Sequence, residues 1–171
     1  MKAQEISLEH VKKNKLFYFI ANLIVYRESD QRCLILKRGN DEKVHPGKYC
    51  FPGGKLEWEN FDLNKPTKMN GDVYDFEDAL EDLLRRETLE ESGVIVENNF
   101  YYINSIGFVR PDGIPVMMQK FTAKYKKGDV KIGEGTIAGY AWVNKEEVNE
   151  YDCIDGIKEE VIQAMELFEK L

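Results

Sequence analysis

The sequence predicts an α/β protein, a mixed β-sheet packed between helices, on three observations. Two pairs of aromatic and β-branched segments are joined by turn-forming residues, one run of strong helix formers ends at a glycine, and the last residues space their apolar side chains as a helix does. At 171 residues the chain has the size of one domain with a core of its own.

The elements follow in order. Residues 1–15 are polar and lack the apolar core and cleavage site of a secretory leader. Residues 16–26 are rich in β-forming side chains, and residues 33–37 repeat that character after a polar turn, which reads as a hairpin. The first run is interrupted by Asn22 and is too short to span a bilayer, so no membrane partner is expected. Residues 41–55 carry Pro46, Gly47, Pro52, Gly53 and Gly54 and read as a shaped loop. Residues 59–75, with Asn60, Asn64, Pro66, Asn70 and Gly71, read as a polar, mobile surface loop.

A helix is expected from about Asp75 or Asp78 to Ser92, with an acidic start and Gly93 as its C-terminal cap. Residues 100–110 and 116–125 flank Pro111-Asp112-Gly113 and predict a second hairpin, and residues 139–143 predict a short strand. Over residues 155–171, Ile157, Val161, Ala164, Met165, Phe168 and Leu171 recur at helical spacing, with Asp155 as the cap.

A formal charge of −7 speaks against long nucleic acid as a partner, which needs clustered Lys and Arg to meet successive phosphates. A small anionic substrate fits if a cation screens it. Cys33, Cys50 and Cys153 are widely separated, in neither a paired nor a zinc-ligand spacing, as expected of reduced thiols in a cytoplasmic protein. The sequence leaves the oligomeric state open, a homodimer included.

Chemistry is concentrated at the end of the first helix. Phe76, Leu80, Leu83 and Leu84 form an apolar stripe, and the same projection puts Glu87 and Glu91 inside it and Glu90 at its edge. Like charges three and four residues apart repel by a few tenths of a kcal/mol per pair, a sign that a bound cation would reverse. Ligands of oxygen alone favour magnesium or manganese. The alternative is a solvated acidic face with Arg86 paired to Glu90.

Phe51-Pro52-Gly53-Gly54-Lys55-Leu56-Glu57, followed by Arg86-Glu87-Thr88-Leu89-Glu90-Glu91-Ser92-Gly93-Val94, resembles the Nudix box. Its second half matches at Arg86, Glu87, Glu90, Glu91, Gly93 and Val94, with Thr88 in place of an aliphatic residue. Its first half departs: five residues after Gly54 stands Asn60, not Glu. An insertion near residues 59–75 within a box at 54–94 restores the match, with Asp78 standing in for the box glutamate. Lys37-Arg38 before Pro46-Gly47-Lys48-Tyr49, and Gly139-Tyr140-Ala141-Trp142-Val143 before Glu146-Glu147, resemble segments flanking the box in that family.

The resemblance implies a single MutT-like pyrophosphohydrolase domain over residues 1–171, folded as a Nudix-type α/β/α sandwich. It implies Glu87, Glu90 and Glu91 as ligands of Mg2+ or Mn2+, with a backbone carbonyl at Gly53 or Gly54 as a further one. The implied reaction is attack of an activated water on a diphosphate phosphorus, without a covalent intermediate. The general base is implied to be Glu87, Glu91 or Glu134, the last in a Gly133-Glu134-Gly135 loop that reads equally as a plain turn. Lys37, Arg38 and Lys55 are candidates to meet substrate phosphates, or else solvated charges. Tyr140 and Trp142 read as a base-stacking pair or as core, and His10 and His45 as ordinary surface residues. The leading substrate is a nucleoside triphosphate, cleaved to monophosphate and pyrophosphate. ADP-ribose or a nucleotide sugar is the alternative, and a non-catalytic nucleotide-binding module the third reading.

Overall fold

The computed structural model describes residues 2–132 and 136–171. Strand β1 (Tyr18–Arg27) turns into β2 (Arg32–Arg38), the first expected hairpin. Short β3 (Tyr49–Cys50) and β4 (Gly53–Lys55) break the proline- and glycine-rich loop into two pieces pinned on β2 and β1 respectively. Then come β5 (Lys68–Asn70), β6 (Val73–Asp75), helix α1 (Ala79–Ser92) and β7 (Ile95–Val96). The second hairpin, β8 (Tyr101–Val109) and β9 (Pro115–Lys127), is followed by β10 (Ile137–Val143) and helix α2 (Ile157–Lys170).

Among the described residues, eight strands join in one mixed sheet. β10, β2, β1, β9 and β7 lie in that order, with β3 on β2, β4 on β1 and β8 on β9. Its central contact is parallel, running from Tyr18 beside Val116 to Tyr26 beside Lys124. Parallel neighbours need a crossover connection, and here the crossover contains α1.

Successive side chains of a strand point to opposite faces, and both faces of this sheet are covered, so β1 and β2 are apolar over most of their length, Asn22 of β1 being an exception. Ala21, Leu23 and Val25 of β1, with Leu34 and Leu36 of β2, pack on Leu83 and Leu84 of α1. Ile24 and Tyr26, with Cys33 and Ile35, pack on Val161, Ala164 and Met165 of α2. The result is the expected α/β/α sandwich. Each fully buried Leu or Ile contributes about 1.5–3 kcal/mol, so both helices are held by burial rather than by helix propensity.

Three expectations are corrected. Residues 59–75 are not an irregular loop: β5 and β6 pair across Gly71 at φ 61°, Thr67 N–H donates to the Asp75 carbonyl at 2.9 Å, and the Phe61 and Phe76 rings, on either side of the hairpin in sequence, lie 5.0 Å apart. Polar composition concealed it because the apolar anchors stand at its two ends. Helix α2 is preceded by Gly156 at φ 94° without a side-chain cap, so Asp155 is not the cap, and Leu171 is exposed beyond the last turn rather than packed. All three cysteines are free and buried, and no helix among the described residues is long and apolar enough to cross a membrane.

Candidate active site

Helix α1 starts after Asp78, which holds a left-handed φ of 57° and makes no capping side-chain bond. It ends at Gly93, φ 72°, whose N–H donates to the Leu89 carbonyl at 2.8 Å. Leu83, Leu84, Thr88 and Ser92 form the buried face. Glu87 and Glu91 are half-buried at its margin and Glu90 is exposed, as the phase of the apolar stripe requires. Asp78 lies nine residues before Glu87, about 13 Å along the axis, so the proposed stand-in for the box glutamate sits apart from the other three.

The glycine loop meets this helix at β4. Gly53 and Gly54 pair with Asn22 and Ala21 of β1. Gly53 has φ 155°, and its N–H donates to Glu91 Oε2 at 3.0 Å. At Gly54 an added Cβ would stand 2.5 Å from Glu87 Cδ and 2.6 Å from its Oε1. Only glycine leaves room for that carboxylate to lie against the main chain. Consecutive glycines therefore each receive one box glutamate.

Burial pushes the Glu91 carboxyl up to about 7, opposed by the Gly53 N–H and reinforced by the charge of Glu87. Burial also raises Glu87, with Arg86 pulling the other way. Arg86 bridges the cluster: Nη2 lies 2.9 Å from Glu87 Oε1 and Nη1 lies 3.4 Å from Glu90 Oε2. It positions two glutamates and offsets their repulsion.

Among the described residues, no three His, Cys, Asp or Glu side chains close into a metal-sized group. The residues present still fit a hard divalent cation. All donors are oxygen, one carboxylate lies in a cradle that a Cβ would fill, and a second is buried where a positive charge would favour its ionised form. Magnesium needs only one or two carboxylates, the remaining ligands being phosphate oxygens and water.

The other candidates divide. Arg38 donates to the Val44 carbonyl at 2.8 Å and pairs with Glu42, yet its charge reaches Cys50 and Glu91, where burial raises both groups and Arg38 partly opposes that rise. Lys55 is exposed beside Gly54, its Nζ 6.0 Å from the Tyr18 ring. Trp142 is engaged by the Arg27 guanidinium at 3.9 Å and by the edge of Tyr125, a packing role, while Tyr140 is exposed. Glu134 lies outside the described residues. Sequence reading passed over Lys120 and Glu160, a buried ion pair. The signal was there: Glu160 falls three residues after Ile157 and four before Ala164, inside the stripe of α2.

The family model of the NUDIX domain matches residues 18–165. The chain belongs to the Nudix hydrolase family. No curated protein sequence matches it. Similar solved structures include the MutT protein of Methanosarcina mazei Go1, at TM-score 0.62 and 18% identity, covering 94% of this chain and 100% of that one. The NUDIX domain of Shewanella oneidensis NrtR, complexed with ADP ribose, gives TM-score 0.66 and 16% identity, covering 94% and 96%. A C. elegans Ap4A hydrolase gives TM-score 0.61 and 14% identity, covering 90% and 99%. At these identities the likeness is one of fold.

The departure of this Nudix chain at Thr88 has a thermodynamic consequence. Thr88 is fully buried and its Oγ1 has no hydrogen-bond partner. Thr88→Val keeps the shape and removes the stranded hydroxyl. It should stabilise the protein by ~1 kcal/mol, a rise in Tm of about 2–4 °C, with kcat unchanged. A fall in Tm would show that the hydroxyl is satisfied in solution.

Proposed function

We propose that this Nudix hydrolase cleaves a nucleoside triphosphate to monophosphate and pyrophosphate, with Mg2+ or Mn2+ held by Glu87, Glu90, Glu91 and the Gly54 carbonyl. The observation that carries the reading is the meeting of loop and helix, with Glu91 on the Gly53 N–H and Glu87 against Gly54. A bound divalent cation supplies charge to neutralise the diphosphate and to lower the pKa of the attacking water. The chain's own residues do the rest. Gly53 holds Glu91 in place through its N–H, Arg86 holds Glu87 and Glu90, and Arg38 and Lys55 supply positive charge near the anionic substrate. Glu87, Glu91 or Glu134 accepts the proton of the water. The whole chain acts as one domain, and its three free, buried thiols accord with a reducing cytoplasm.

Turnover of a nucleotide panel should require magnesium or manganese, stop on chelation and release pyrophosphate. Full turnover in the presence of chelator would exclude this mechanism. The likeness to a domain complexed with ADP ribose favours a second reading, in which the diphosphate joins a nucleoside to a sugar. ADP-ribose and a nucleotide sugar therefore belong in the same panel, and faster turnover of either would replace the triphosphate.

A further inference from the structure

Beneath α2, the sheet carries a polar row that the diphosphate chemistry does not use. Asn22 of β1, Lys120 of β9 and Asn104 of β8 are neighbours in register and share one face. Glu160 of α2 comes down onto them. Its Oε1 pairs with Lys120 Nζ and accepts from Asn104 Nδ2 at 3.2 Å. Lys120 and Glu160 are 5% and 3% exposed, whereas Asn22 and Asn104 are half-buried.

Three oxygens in this cluster have no donor: Glu160 Oε2, Asn104 Oδ1 and Asn22 Oδ1. Neither amide gains by turning over, because Asn22 Nδ2 donates to the Phe51 carbonyl at 3.4 Å and Asn104 Nδ2 is already engaged on Glu160. Buried acceptors without donors are costly and rare, and three in one place mark a site that awaits donors from outside.

The surroundings give that ligand its shape. The next two rows of the same face are apolar, Ile20–Met118–Ile106 and Tyr18–Val116–Phe108, and of these Tyr18, Ile106 and Phe108 are exposed. Asn22 stands opposite Gly53, and Lys55 opposite Ile20. From β4 across β1 and β9 to β8 is three strand spacings, ~14 Å.

We propose that this row reads the base of the substrate, selecting a nucleobase with an exocyclic amino group. The base lies on the apolar floor, its amino group donates to the orphaned oxygens, and its phosphates run toward Gly53 to Lys55. The inference rests on the nucleotide reading above. An oxo group in the same place would set an acceptor against acceptors.

The test is calorimetry with mononucleotides that differ only in amino against oxo, AMP against IMP and CMP against UMP. In each pair the amino member should bind at least about tenfold tighter. Glu160→Gln leaves a buried ammonium without its counter-charge and can cost folding. Asn104→Ala keeps the ion pair and is the primary variant. It should narrow the preference to within about threefold while the protein melts cooperatively. Equal affinity within both pairs, no binding of any of the four, or an undiminished preference in Asn104→Ala overturns the proposal. Hydrolysis of ATP and ITP separates the two readings. Turnover of both at equal efficiency sinks the base-reading row alone, and absence of turnover with the binding preference intact sinks the hydrolytic reading alone.

Discussion

Glu91→Gln is expected to lower turnover by roughly 10²–10⁴-fold while making the metal-free protein more stable above neutral pH. Glutamine keeps the volume and helix propensity of glutamate, and its Oε1 still accepts the Gly53 N–H. What disappears is the charge. In the folded wild type, burial raises the Glu91 carboxyl from 4.5 to about 7. A carboxyl raised on folding contributes stability that is fully present below its unfolded value and is lost as pH rises through the folded one. The wild type should therefore weaken between about pH 4.5 and pH 7, and the variant should weaken less, only the raised Glu87 carboxyl being left in the cluster to lose its proton there. At pH 8 the variant should be more stable by on the order of 2–3 kcal/mol, and at pH 4 the two should be alike.

Magnesium should raise the wild-type Tm by mass action and raise that of the variant less. Urea titrations at both pH values, with turnover on the same samples, check each part. Turnover near that of the wild type would remove Glu91 from the site, and equal stability at pH 8 would show that its carboxyl is not desolvated. Glu90 serves as the internal comparison. It is exposed and paired to Arg86 at 3.4 Å, so Glu90→Gln should lower turnover without the gain in stability.

Much of this was legible in the sequence because two periodicities carry it. The apolar stripes of α1 and α2, with the β-forming runs of β1 and β2 between them, set both core layers, and the phase of Glu87 and Glu91 within the α1 stripe showed which carboxylates would be half-buried. The hairpin of β5 and β6 was not legible, because a two-stranded ribbon exposed on both faces leaves no apolar alternation to detect. Nor was the exact partner of each glutamate. That Glu87 lies on Gly54 and Glu91 on Gly53 depends on the register of β4 against β1, a long-range pairing that local pattern does not encode. The row of Asn22, Lys120 and Asn104 is hidden for the same reason: β1 meets the distant hairpin of β8 and β9 only through its parallel pairing with β9, and the register shift between Tyr102 and Asn104 sets which β8 residue stands beside Lys120.

The two glycines of β4 should separate catalysis from folding. At Gly54 a methyl group would stand 2.5 Å from Glu87 Cδ, and what it meets is the free end of a flexible side chain. Gly54→Ala should therefore fold with at most ~1 kcal/mol of destabilisation while swinging the carboxylate out of its cradle, with a loss of turnover of about 10²-fold. At Gly53 the methyl group would meet main chain instead, the Ala21 carbonyl and, at 2.8 Å, Asn22 Cα, on a residue whose φ of 155° suits glycine alone. Neither neighbour can move without breaking the pairing of β4 with β1. Gly53→Ala should lose about 2–4 kcal/mol of stability together with its activity. Melting curves and kcat measured on both variants decide the matter. A Gly54→Ala enzyme with full turnover would mean that the Glu87 carboxylate works from somewhere other than this cradle, and a Gly53→Ala protein as stable as the wild type would mean that β4 is not pinned to β1 in solution.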